Sequence, residues 1–195
     1  MILLGTKNWH KVREVQAMLK EHGQRAVPAV GLPDVEETGA TFQQNAALKA
    51  LAYAEFCSGA VLSDDSGLVV PALDGEPGVR SSRYAGEEAT DEQNLQLLLQ
   101  RIRERELHEP EAAFVCSLAL ALPGEMLCEV EGRVEGRIVD TPRGQNGFGY
   151  DPVFFHPQSG CVFAELEPEQ KNRVSHRAVA LQALAGRLPD LLDRL

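Results

Sequence analysis

AAFVCSLALALPGEMLCEVEGRVEGRIV, residues 112–139, is the stretch that decides the fold. Eleven residues with no charge run up to Pro123-Gly124-Glu125, and a second β-rich segment follows at once. A turn this short joins antiparallel neighbours, so the middle of the chain reads as a hairpin or meander. Upstream the pattern is different, because short apolar strands alternate with helices. ILLGT (2–6) is a strand candidate, and Asn8 caps a helix from Trp9 to His22 that places Val12, Val15, Met18 and Leu19 on one face before Gly23. The loop VPAVGLPDVEETGA follows. Thr41-Phe42-Gln43-Gln44 has the capping-box pattern and opens an Ala-rich helix to about Cys57, closed by Ser58-Gly59. AVLSD is then a strand, 71–86 an irregular segment, and Thr90 to Gln93 a second capping box with Leu95, Leu98, Leu99 and Ile102 behind it. Beyond the hairpin a glycine-rich loop, RGQNGFGYDPVFF, runs into a strand, and Ser175 caps a last helix, HRAVALQALAGRL. Alternation followed by a strand run predicts an α/β protein with a mixed sheet.

The 195 residues fit a single domain, 1–195, of comfortable size. The longest uncharged apolar run, 112–124, is too short to span a bilayer, and MILLGTKNWHK has no basic segment ahead of its apolar residues, so no membrane partner and a cytoplasmic location are expected. Cys57, Cys116, Cys128 and Cys161 lie far apart without metal-ligand spacing and read as reduced thiols. A net charge of −10 argues against a nucleic-acid partner, which needs a basic surface, but leaves room for a small polyanion held by local cations.

Five polar stretches sit at element edges. Thr6-Lys7-Asn8-Trp9-His10-Lys11 joins a strand to a helix, where backbone N–H groups and a lysine suit an anion; it lacks the glycines of a P-loop, and simple capping explains it as well. Glu36-Glu37-Thr38-Gly39 precedes a helix, where acids favour the dipole. Asp64-Asp65-Ser66-Gly67 places two carboxylates between apolar runs, as a polar turn that is either solvated or holds a cation such as Mg²⁺. Gly147-Phe148-Gly149-Tyr150-Asp151-Pro152 suits a packing bulge or a flat ligand stacked on an aromatic. Lys171-Asn172-Arg173-Val174-Ser175-His176-Arg177 puts basic residues at an expected helix start, against the dipole, which asks for an anion or an electron-rich ligand. Together they amount to a nucleoside triphosphate site with a hard cation and no P-loop.

The same motifs resemble those of the inosine triphosphate pyrophosphatase family, enzymes that hydrolyse non-standard purine nucleoside triphosphates such as ITP, dITP and XTP. The likeness covers essentially the whole chain, in order: TKNWHK (6–11), EETGATFQQNAALKA (36–50), SDDSGLVVPALDGEPGVRSSRYAG (63–86), GFGYDPVF (147–154) and KNRVSHRAVAL (171–181). It implies an elongated mixed sheet flanked by helices, with two lobes and the active site in the cleft between them, and a homodimer. It further implies that Thr6, Asn8 and Lys11 bind the triphosphate, that Glu37 and Asp65 ligate Mg²⁺, and that Asp65 also orients or deprotonates the attacking water. Ser66 would contact substrate, Phe148, Gly149, Tyr150 and Asp151 would form the base pocket, and Lys171 would touch phosphate or base. His176 and Arg177 would read the 6-oxo edge of the purine. Lys7 stands where the family motif has glycine. A nucleotide-binding regulator without turnover, and a hydrolase of other modified nucleotides, are the alternative readings.

Overall fold

In the computed structural model, residues 2–21 and 23–194 are described. Seven strands are hydrogen-bonded in the order β2 (Ala26–Pro28), β1 (Ile2–Leu4), β3 (Val61–Val69), β4 (Glu111–Leu122), β5 (Glu125–Ile138), β6 (Phe154–His156), β7 (Cys161–Val162). β1 runs parallel to β2 and β3, whereas β6 is antiparallel to β5 and β7. The sheet is therefore mixed, as the alternation followed by a strand run predicts. The helices are α1 (Trp9–Glu21), α2 (Phe42–Cys57), α3 (Asp91–Glu104), α4 (Pro168–Val174) and α5 (His176–Arg187). The expected end of α1 at His22 lies outside the described residues.

The chain divides into two compact units: Met1–Asp65, Cys116–Arg133 and His176–Leu195 in the first, Ser66–Val115 and Val134–Ser175 in the second. Strands β3, β4 and β5 each contribute to both.

In the first unit the sheet is covered on both faces. Cys116, Leu118 and Leu120 of β4 pack with Val12, Val15, Met18 and Leu19 of α1 and with Ala180, Leu181 and Leu184 of α5. The intervening Ala119 and Ala121 pack with Ala46, Ala50, Tyr53 and Ala54 of α2. Side chains alternate along a strand, so a strand buried on both faces must be apolar throughout, which is why residues 112–122 carry no charge. β5 approaches α5 closely: a Cβ on Gly132 would lie 2.2 Å from the His176 carbonyl oxygen and 2.3 Å from the Ala180 nitrogen.

The second unit closes around an aromatic cluster. Phe114 and Phe163 stack at 5.9 Å, and Phe154 packs tilted against both, at 4.5 and 5.0 Å. Leu95, Leu98, Leu99 and Ile102 of α3 complete this core, on the face that their spacing predicts.

Three local readings need correction. SDDSG is not a turn: residues 61–69 form one unbroken strand, and the polar pair is held inside it by the half-buried Lys11 and the buried Lys49. β2 lies within a segment read as loop, where three residues paired to β1 were too few to carry a periodic signal. Lys171 and Arg173 lie in the last turn of α4, with Ser175 as its C-cap. The dipole favours cations there, so these two are not misplaced; His176 and Arg177 alone begin a helix.

Candidate active site

Adjacent residues of a strand point to opposite faces, and Asp64 and Asp65 follow that rule with different ion-pair partners. Asp64 receives the Lys11 ammonium of α1 at 2.8 Å, and the Arg177 guanidinium of α5 stands 3.6 Å away. Burial alone would raise the Asp64 pKa, but Lys11, Arg177 and Lys49 outweigh it and hold the carboxyl well below the usual range. Arg177, 1% exposed, is also paired with Glu14 of α1. Burial opposes its charge, yet Glu14 and Asp64 help keep it firmly protonated.

Asp65 faces α2 instead. Lys49 donates to Asp65 Oδ1 at 3.0 Å and to Glu37 Oε1 at 2.6 Å, so two carboxylates converge on one ammonium. Asn45, one turn earlier on the same helix, donates to Asp65 Oδ2 at 3.3 Å and accepts the Gly39 N–H at 2.7 Å. Through Gly39 it fastens the loop that carries Glu37, and a side chain at Gly39 would run into Asn45 Oδ1. Burial disfavours the Lys49 charge, but Asp65, Asp64 and Glu37 together raise its pKa above the ordinary lysine range. For Asp65 the balance is reversed: burial pushes the carboxyl upward more than Lys49 and Lys11 bring it down, and Glu37 adds to the rise. The two neighbouring acids are thus tuned in opposite directions.

The phosphate-loop candidates sit beside this cluster in the same unit. Asn8 caps α1, its Oδ1 accepting from the His10 N–H at 2.9 Å and more weakly from Lys11, while Thr6 Oγ1 accepts from the Asn8 N–H at 3.2 Å. Lys7 points to an exposed pair with Asp34.

In the second unit, Lys171 donates to Asp151 Oδ2 at 2.7 Å and lies 4.8 Å over the Phe148 ring. The same Asp151 oxygen accepts the Phe148 N–H at 2.9 Å. Gly147, at φ 76°, lies so near Asp151 that a Cβ would fall 2.1 Å from its Oδ2, so the loop needs glycine for both conformation and space. Tyr150 is buried, its hydroxyl donating to the Ser81 carbonyl at 2.8 Å. Gly149 is half-buried, as is Ser66, the first residue of this unit.

The expected residues fall accordingly. Thr6, Asn8, Lys11, Glu37, Asp65, His176 and Arg177 belong to the first unit, Ser66, Phe148 to Asp151 and Lys171 to the second. Sequence reasoning missed Lys49, Asn45 and Glu14. A signal existed for two of them: in NAALK (45–49) the polar residues are four apart on a face otherwise built from Ala46, Ala50 and Tyr53. A lysine on a buried helical stripe needs a counterion, and that counterion is Asp65.

Among the described residues no three His, Cys, Asp or Glu side chains gather as a metal-binding group. Glu37 and Asp65 nonetheless suit a hard cation, because their oxygens already converge on the Lys49 charge. Mg²⁺ commonly takes one or two protein carboxylates and fills its shell with water and substrate phosphates.

The comparisons with known proteins bear on the family and the fold. The Ham1 family profile matches residues 2–187. The chain belongs to the Ham1 family. A dITP/XTP pyrophosphatase of Geobacillus kaustophilus is 47% identical over 186 residues, covering 94% of this chain and 91% of the relative. A dITP/XTP pyrophosphatase of Geobacter sulfurreducens is 45% identical over 190 residues, 96% of each chain. Among solved structures, a HAM1 protein from Coxiella burnetii superposes with a TM-score of 0.88 at 40% identity, covering 97% of this chain and 98% of its own. The Staphylococcus aureus Ham1 protein gives 0.84 at 38% identity, with the same coverage. The family likeness read from the motifs therefore holds over nearly the full length.

Proposed function

We propose that this chain hydrolyses non-standard purine nucleoside triphosphates, dITP, ITP and XTP, to the monophosphate and pyrophosphate, clearing them from the nucleotide pool. The observation that carries the reading is the convergence of Glu37 and Asp65 on a single buried cation, in a chain 47% identical to a dITP/XTP pyrophosphatase.

The anhydride bond between the α and β phosphates is cleaved by water. Thr6, Asn8 and Lys11 bind the triphosphate with the N–H groups at the start of α1. Asp65 orients the water and takes its proton; its upward-shifted pKa makes it a stronger base than an ordinary aspartate. Lys49 holds Asp65 and Glu37 in place, and Asn45 fixes the second oxygen of Asp65. Glu37 and Asp65 would hold Mg²⁺, which would supply charge neutralisation for the phosphate oxygens and the leaving pyrophosphate. Ser66 contacts the substrate.

Phe148 to Asp151 receive the base, and Lys171 touches phosphate or base. His176 and Arg177 supply donors to the purine O6, and adenine offers an amino donor there instead. A donor facing a donor leaves buried polar groups unsatisfied, which costs about 10⁴-fold or more in discrimination. The reading includes residues 1–195 acting as one catalytic domain, a homodimer, a cytoplasmic location and no nucleic-acid partner. The net charge of −10 supports the last point. Among the described residues, no helix is long and apolar enough to cross a membrane.

The test is pyrophosphate release from dITP, ITP, XTP, GTP and ATP, with and without Mg²⁺. Magnesium-dependent pyrophosphate from the first three, with little from ATP, which lacks the O6 acceptor, and little from GTP, which shares O6 but is set apart by its 2-amino group, is the expected result. Orthophosphate as the product, or nucleotide binding without turnover, overturns it.

A further inference from the structure

The Phe148–Gly149 turn is tethered at two consecutive amides. The Phe148 N–H is held by Asp151, and the next amide, Gly149 N–H, donates at 2.9 Å to Asp91 Oδ2 in the first turn of α3. Gly149 has φ 61° and open space where a Cβ would be, so its own packing does little to fix this turn. Asp91, by contrast, stands on a firmly fixed base. Thr90 and Gln93 form a reciprocal capping box around it. Asn94, 2% exposed, accepts the Ala85 N–H at 2.8 Å and donates to the Ser82 carbonyl at 3.0 Å. The neighbouring Ser81 carbonyl accepts the Tyr150 hydroxyl, so one scaffold holds the loop on both sides of Gly149.

We propose that Asp91 is a positioning residue for base recognition: it removes the freedom of Gly149 and so sets the orientation of the Phe148 ring. The inference rests on the pyrophosphatase reading, in which the base meets Phe148. A hydrogen bond to a charged acceptor is stronger than a neutral one, and its loss loosens a loop that Asp151 and Tyr150 also hold and whose Phe148 ring lies against Lys171. The effect falls on nucleotide binding, because Asp91 has no part in attack on phosphorus.

The experiment measures kcat and KM for dITP in the wild type and in Asp91→Ala, Asp91→Asn and Glu92→Ala, together with amide exchange of Gly149 by NMR. Glu92 shares the first turn of α3 but accepts from Gln96, so it controls for charge and helix stability. Asp91→Ala should raise KM about five- to tenfold with kcat within about twofold, and speed Gly149 exchange by a similar factor or more. Asparagine keeps an acceptor oxygen and should restore most of the loss, and Glu92→Ala should match the wild type in KM. An unchanged KM in Asp91→Ala, or an equal rise in Glu92→Ala, overturns the inference while the pyrophosphatase reading stands. A wild-type enzyme inert toward dITP overturns that reading, and this inference with it.

Discussion

The buried charges of the two units are arranged differently. In the first unit they are shared: Asp64 faces Lys11 and Arg177, Lys49 serves both Asp65 and Glu37, and Arg177 serves both Glu14 and Asp64. In the second, Lys171 and Asp151 form a close pair, with a ring against the cation and a backbone amide on the carboxylate. A shared ion can exchange a partner without being stranded, as the proposed binding of phosphate and metal requires. A pair closed by its own loop holds geometry instead.

The sharpest way to break this contrast is to remove one member from each set. Asp65→Asn keeps shape and one acceptor oxygen, and Lys49 keeps Glu37 as its counterion, so it should fold, yet lose about 10²–10⁴-fold in kcat for dITP through loss of the base. Near-wild-type turnover would remove Asp65 from the chemistry. Asp151→Ala should behave in the opposite way. It leaves a buried ammonium without this counterion and should lower stability in urea unfolding by about 3–5 kcal/mol. If the cost were under about 1 kcal/mol, the pair would not be the fixed point of its loop.

A steric test comes next. Gly132→Ala forces a methyl against the α5 backbone in the first unit, and overpacking of this kind should cost about 2–3 kcal/mol in the same assay. The opposite titrations of the two neighbouring acids sharpen the contrast further. The Asp64 pKa is depressed from 3.8, so its contribution to stability is full above that value and is lost as the pH falls through the folded-state pKa. The Asp65 pKa is raised, so its sign is reversed: stability falls as the pH rises from 3.8 through the raised value. Asp64→Asn should therefore flatten the acid loss of stability by on the order of 2 kcal/mol, as measured by urea unfolding from pH 6 to pH 2. The smallest effect belongs to Lys7. Its pair with Asp34 is exposed and screened, so Lys7→Gly should leave Tm unchanged and alter only the salt dependence of KM.

What the sequence disclosed and what it hid divide along physical lines. The helix starts at Asn8, Thr41 and Thr90 were legible because capping is local chemistry, complete within four residues. The mixed sheet was legible because the uncharged run in β4 and the short turn after it have few other solutions. β3 was misread because two adjacent acids resemble a turn until the cations that hold them are known, and those cations come from α1, α2 and α5. Lys171 was legible as a site candidate but for a mistaken reason, since the boundary between α4 and α5 turns on Ser175 alone. Asn45 and Lys49 escaped notice because their partners are distant in the chain, although their spacing on an alanine-rich face was visible.

Because Asp64 and Asp65 sit on opposite faces of one strand, their roles depend on parity. Gaining or losing one residue between Val61 and Asp64 would exchange the two carboxylates between the α1/α5 face and the α2 face, whereas a change of two would not. This nine-residue strand thus works as a counting device. Loops at the surface tolerate changes in length, but along β3 a single added residue would rewire both charge networks at once.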